Sequence, residues 1–236
     1  MLLNGIAAVL FDLDDTLIDS VRGKSIAEKI IADILASYIH NLGIAVDKEI
    51  LLCELLLIDQ MMNRRRLYDR SIWWQSLVGR LNLKVALPRH LVIEMTKAYW
   101  SYFGTYSLPF PDTAITLDSL LMRGYRLGMV TDTDGTPGVK MHRISQLSFK
   151  RAFSTIVIAG EDTVKTKPSV FPFKLAASRL GLSCAECVFV GDKPFTDIRG
   201  AKKAGMKSIL IRRGIWESEE QPDFTVSSLS ELCRFL

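Results

Sequence analysis

Four polar clusters in this 236-residue chain have the residue types needed to bind and transfer a phosphoryl group: Asp12 with Asp14, Thr131 with Asp132, Lys167, and Asp192 with Asp197. Asp12 and Asp14 are two apart, so in an extended chain both side chains point the same way. Asp192 adds a third carboxylate. Three carboxylates in one pocket repel one another unless a cation or proton compensates, and an all-oxygen donor set favours Mg2+ over zinc or copper. Lys167 offers a fixed positive charge to an anionic substrate, and Thr131 a hydroxyl with backbone N–H groups nearby. A carboxylate in this setting can attack phosphorus to form an aspartyl-phosphate, which divides one hard hydrolysis into two easier steps. A second carboxylate can protonate the leaving oxygen and afterwards take a proton from water.

Residues so far apart in sequence share a pocket only if the fold delivers them to one edge. Residues 6–11 form a short apolar run of strand length that ends in the first carboxylates. Further strands are predicted at 126–130, 155–159, 187–190 and 208–211. They alternate with helices at 112–123, 137–147, 169–180 and 196–204, before a short closing segment and helix. Such alternation argues for a parallel sheet covered on both faces, with ligands at the carboxyl ends of its strands. The helix beginning near Thr136-Pro137 directs its positive end toward the same edge. Between the first strand and the rest the period is helical only. Ile26, Ala27, Ile30, Ile31, Ile34, Leu35, Tyr38 and Ile39 mark one face of a helix closed by Gly43. Asp47 caps a helix through Ile58, Ser71 one through Leu81, and Pro88 opens one that ends near Gly104, with Pro109 and Pro111 marking the exit. The expected fold is therefore α/β: a Rossmann-like parallel-sheet core of residues 1–18 and 109–236, with an inserted all-α domain at 19–108.

Composition narrows the function classes. Hydrophobic residues make up 48% of the chain and charged residues 24%, close to globular averages, so a core can form. The net charge of +4 is too small and dispersed for a nucleic-acid footprint but compatible with a small anionic ligand. No apolar run is long enough to span a membrane, and residues 1–11 lack a charged leader pattern, so the expectation is a cytoplasmic protein. Four cysteines are too few for a disulfide scaffold in a chain of this size. The lone pair Cys184/Cys187 would leave a zinc half ligated. Residues 160–166 lack the second glycine of an ATP-binding P-loop.

Taken in order, Phe11-Asp12-Leu13-Asp14-Asp15-Thr16-Leu17, Val130-Thr131, Lys167-Pro168 and Gly191-Asp192 with Asp197 resemble the four motifs of the haloacid dehalogenase superfamily, with the helical block where that family carries a type C1 cap. The resemblance covers residues 6–211. It implies that Asp12 is the nucleophile and a metal ligand, and that Asp14 is the general acid/base, with its backbone carbonyl on the metal. It implies further that Thr131 binds phosphate, that Lys167 neutralises nucleophile and phosphate, and that Asp192 is a metal ligand with Asp197 supporting the metal or Lys167. Members that dehalogenate usually lack the second Asp, so Asp14 favours phosphate ester hydrolysis with Mg2+ as cofactor. One departure is Asp132, where many relatives with this cap have Asn. An extra carboxylate facing a phosphate dianion is unfavourable, so Asp132 is expected to turn to solvent, a backbone amide or a substrate hydroxyl.

The other conspicuous residues have plainer readings. Arg64, Arg65 and Arg66 spread around a helix and read as a solvated face. Trp73 and Trp74 diverge, with at least one in a core. His40, His90 and His142 have no ligand spacing. The expected function is hydrolysis of a small phosphorylated metabolite, with no nucleic acid or membrane partner. A phosphomutase, a phosphonate hydrolase, or a non-catalytic phospho-accepting or metal-binding module are the alternatives on the same residues. Substrate identity and oligomeric state are not encoded in these patterns.

Overall fold

The computed structural model describes residues 3–214, 216 and 219–236. Met1 and Leu2, the start of the segment read for a leader, lie outside them. The chain divides into a sheet unit, residues 3–19, 109–133 and 140–236, and a helical unit, residues 20–108 and 134–139.

The sheet unit is built on β1 (Ala8–Phe11), β2 (Arg126–Asp132), β3 (Thr155–Ala159), β4 (Cys187–Gly191), β5 (Lys207–Ile211) and β6 (Phe224–Val226), all parallel, in the order β3-β2-β1-β4-β5-β6. Alternation within the strands fills two cores. Val9 and Phe11 join Leu127, Met129, Val188 and Val190 on one face, while Ala8 and Leu10 join Val130, Val157 and Phe189 on the other. This two-sided burial explains why the strands read as continuous apolar runs rather than alternating ones. The sixth strand lies in the closing segment, where three residues carry too little pattern to mark a strand in the sequence.

Because β1 sits between β2 and β4, the chain winds outward on one side of β1 and then returns to the other. A crevice opens at the carboxyl ends of such a switch point, where ligands bind. In register, Phe11 lies beside Met129 and Val190, so the residues that follow each strand emerge together.

In the helical unit the helices are α1 (Ser20–Asn41), α2 (Lys48–Arg64), α3 (Ser71–Arg80) and α4 (Arg89–Tyr106). Asp47 caps α2 as expected, its side chain accepting the Glu49 N–H at 2.7 Å. Both Trp73 and Trp74 are buried in the core of this unit. Trp73 donates to the Leu67 carbonyl and Trp74 to the Thr96 hydroxyl, each at 2.8 Å, so consecutive indoles both find partners by reaching in different directions. The three arginines at 64–66 are exposed, as are the three histidines.

The remaining helices, apart from Val139 at the start of α6, belong to the sheet unit: α5 (Thr113–Met122), α6 (Val139–Ser145), α7 (Val170–Arg179) and α8 (Arg199–Ala204). Helix α6 starts two residues later than expected, because Gly135 and Gly138 both take left-handed φ angles of +85° and +83°. The segment 134–139 that contains them groups with the helical unit, and Val139 packs against that unit's core. Among the described residues no helix is long and apolar enough to cross a membrane.

Candidate active site

The strand β1 stops at Phe11, and the chain then turns sharply. Leu13 O accepts the N–H groups of Thr16, Leu17 and Ile18, and Asp15 adopts a left-handed φ of 61°. Asp12 is still tied to the sheet, its N–H donating to Val190 O at 2.9 Å. The turn separates the two carboxylates that an extended chain would point alike, and they meet different cations.

Asp12 Oδ1 lies 2.8 Å from Lys167 Nζ, and the same ammonium lies 2.8 Å from Asp197 Oδ1. Lys167 is only 2% exposed, so a surface role is excluded for it. Burial disfavours its charge, but Asp12, Asp197 and Asp132 outweigh burial and push its pKa up. Burial also raises the Asp12 carboxyl, with Lys167 opposing that and Asp197 adding to it.

Asp197 is fully buried, and its other oxygen accepts the Lys193 N–H at 3.0 Å. Gly191 makes room for it: a Cβ there would lie 2.5 Å from the Asp197 side chain. This crowding is the physical reason for glycine in Gly191-Asp192. Asp192 is 1% exposed, with the Thr16 hydroxyl at 3.5 Å and Lys193 Nζ at 3.6 Å. Its pKa is well above the ordinary carboxylate range through burial and through Asp197 and Asp12, although Lys193 opposes the rise.

Carboxylate oxygens of Asp12, Asp192 and Asp197 lie within 4.8 Å of one another. Buried carboxylates pushed toward protonation by mutual repulsion are what a hard dication relieves, so the donor set fits Mg2+. Asp197 is engaged on both oxygens by Lys167 and the Lys193 amide, which favours Asp12 and Asp192 as ligands and Asp197 as their support. The Asp14 carboxylate is not in this group.

Asp14 instead reaches α6. Its Oδ2 lies 2.5 Å from Lys140 Nζ and its Oδ1 2.6 Å from Arg143 NH2. Burial alone would raise Asp14, but the Arg143 and Lys140 charges overcome it and hold the carboxyl far below its usual range. In this arrangement only its backbone carbonyl is left to offer a metal. Neither Lys140 nor Arg143 was singled out by sequence. The available signal was two cations three apart on the helix that follows the second motif, where they share one face.

Thr131 is buried near the end of β2. Asp132, on the same strand end, turns to a backbone amide, with Oδ1 accepting the Lys167 N–H at 2.9 Å. Burial, helped by Asp12 and Asp197 and opposed by Lys167, pushes Asp132 up to about 6. It acts on the loop that carries Lys167.

A doubly wound parallel sheet thus carries, at its switch point, a buried centre of three carboxylates and a lysine. The chain belongs to the haloacid dehalogenase-like hydrolase family, whose pattern matches residues 6–205. It is 34% identical to a glyceraldehyde 3-phosphate phosphatase of Methanopyrus kandleri over 96% of this chain and 95% of that one. It is 30% identical to a phosphoglycolate phosphatase of Salmonella paratyphi A, over 98% and 92% of the two chains. Among solved structures, a haloacid dehalogenase-type phosphatase of Thermococcus onnurineus superposes with a TM-score of 0.67 at 27% identity, over 97% of each chain.

Proposed function

We propose that this enzyme hydrolyses small phosphate monoesters through an aspartyl-phosphate on Asp12, with Mg2+ as cofactor. The observation that carries the reading is the Lys167 ammonium bridging Asp12 and Asp197 beside Asp192, at the edge where Thr131 and Asp14 also emerge. Mg2+ held by Asp12, Asp192 and the Asp14 carbonyl would supply positive charge to the transferring phosphoryl group. An Asp12 carboxylate oxygen attacks phosphorus, the ester P–O bond breaks, and the leaving oxygen takes a proton from Asp14, whose carboxyl must first leave the Lys140 and Arg143 ion pairs that hold it ionised in this structure. Water then attacks the same phosphorus, Asp14 takes its proton, and the acyl phosphate P–O bond breaks to return Asp12 and release phosphate. One proton therefore cycles through Asp14. Lys167 stays charged throughout and balances the nucleophile and the phosphate.

The helical unit is read as a cap that closes over the substrate, with residues 17–20 and 107–111 as hinges. The substrate is a small acyclic phosphate, by likeness to the two phosphatase relatives. The test is phosphate release from a panel that includes glyceraldehyde 3-phosphate, phosphoglycolate, sugar phosphates and nucleotides, with and without Mg2+, for wild type and Asp12→Asn. Release that requires both the metal and Asp12 is expected. Release by Asp12→Asn at the wild-type rate would overturn the reading.

A further inference from the structure

Helix α2 turns Leu51, Leu55, Ile58 and Met62 into the core of the helical unit. A surface helix with one such face ordinarily carries polar residues on the other. Here the middle of the outward face is apolar as well. Ile50, Cys53 and Leu57, spaced three and four apart, form one row opposite the buried one, and Leu56 flanks it. Ile50, Leu56 and Leu57 are 53%, 43% and 47% exposed, and Cys53 is exposed too. Singly exposed apolar residues are normal, whereas a contiguous row on one helix marks a contact surface.

The charges at the two ends of the row indicate what covers it. Asp47 and Glu49 stand at the start of α2 and Arg64, Arg65 and Arg66 at its end, all exposed. The ion pairs of α2 use Lys48, Glu54 and Asp59, so that Glu49 and the three arginines have none among the described residues. A helix that is acidic at one end, apolar in the middle and basic at the other is complementary to itself turned end for end. Parallel pairing would set like charges side by side, whereas antiparallel pairing sets each acidic end against a basic one and opposes the helix dipoles. Glu49 and Arg64 are equally far along the helix from the point between Leu56 and Leu57. A two-fold axis through that point lays each apolar row on the other and brings Glu49 opposite Arg64 of the second copy, twice over.

We propose that the outward face of α2 is a two-fold dimer interface, covered by the same face of a second copy of this chain. It involves the helical unit alone and does not depend on the catalytic reading. The apolar row supplies affinity, and the exposed ion pairs fix orientation. At 17 residues α2 is about 25 Å long, and one face of it is smaller than the roughly 800 Å² per partner of a standard interface, so the dimer should be weak.

Sedimentation equilibrium of the full chain in reducing buffer, over about 5–500 µM, should show monomer–dimer exchange with a Kd of about 10–100 µM. A chain that stays monomeric throughout overturns the proposal. Leu57→Glu sets like charges beside the axis and should weaken the dimer by about ten-fold or more. Glu49→Arg and Arg64→Glu each set like charges together at both symmetric contacts, and each should weaken it by about three-fold or more. Glu49→Arg combined with Arg64→Glu restores opposite charges across the axis and should return Kd to within about two-fold of wild type. Association that Leu57→Glu leaves unchanged, or single reversals that the double reversal does not repair, places the contact elsewhere and overturns the proposal. Far-UV circular dichroism accompanies each variant. Should Leu57→Glu fail to fold, Leu57→Ser removes the apolar contact without adding a charge and should weaken the dimer by about three-fold or more; an unchanged Kd in that variant counts against the interface in the same way.

Discussion

Lys167 touches both Asp12 and Asp197, and its removal leaves two buried carboxylates without their shared cation. Breaking a buried pair by deleting one partner costs about 3–5 kcal/mol. Lys167→Met should therefore lower the melting midpoint by several degrees and abolish turnover, and added Mg2+ should not restore the rate; calorimetry and phosphate release check the two parts separately. The neighbouring Asp132 makes a sharper comparison. An amide keeps the oxygen that accepts the Lys167 N–H, so Asp132→Asn should retain most activity. Asp132→Ala leaves that amide without its acceptor at a cost of about 1–3 kcal/mol and displaces the Lys167 loop. Denaturant unfolding and kcat, measured on both variants, test this; equal damage from Asn and Ala would show that the charge of Asp132, not its acceptor, matters.

Within the helical unit, buried polar residues tie α1 to α2 and to the residue that precedes α3. Lys24 of α1 and Arg70 both approach Asp59 of α2, at 2.9 and 3.7 Å, and Arg70 stacks 3.4 Å above the Trp73 ring. Glu28 of α1 is buried in the same neighbourhood. Burial pushes its pKa up to about 7, helped by Asp59 and opposed by Lys24 and Arg70. A carboxyl raised in the folded state is stabilising relative to its charged form at low pH, and that contribution is lost as pH rises from about 4.5 through about 7. Glu28→Gln should match wild type below about pH 4.5 and exceed it in stability above pH 7 by up to about 3 kcal/mol, at about 1.4 kcal/mol per pKa unit. Thermal melts at pH 4, 6 and 8 give the answer, and a gap that is the same at all three would rule it out. A second element depends on Gly135, where a Cβ would lie 2.2 Å from Asp69 N at a left-handed φ. Both the strain and the clash with backbone act against Gly135→Ala, which should lose about 1–3 kcal/mol in chemical denaturation.

At the scale of the molecule, the chain passes between its two units four times: after Asp19, Leu108, Thr133 and Val139. The last two passages flank the segment 134–139, which separates Thr131 and Asp132 from Lys140 and Arg143 along the backbone. The backbone therefore links the helical unit to the sheet unit at both ends of 134–139 as well as after Asp19 and Leu108. Closure of the helical unit on Mg2+ with a phosphate analogue should appear in solution scattering as a smaller radius of gyration, and an unchanged profile would count against a closing cap.

What the sequence determined by itself was local. Apolar runs of strand length, helical periods with caps such as Asp47, and carboxylates directly after strand ends made the α/β core, the inserted helices and Asp12, Asp14, Lys167 and Asp192 legible, because strand length, period and capping are properties of neighbouring residues. The tertiary structure decided which charges meet. The turn after Phe11 sends Asp14 away from Asp12 toward α6, Asp132 faces an amide 35 residues away, and Lys140 and Arg143 become interior residues. Pairings of this kind depend on the approach of segments distant in sequence, and no periodicity records them. The segment 134–139 joined the helical unit for the same reason: its two left-handed glycines marked a loop, and only packing assigned that loop to a unit.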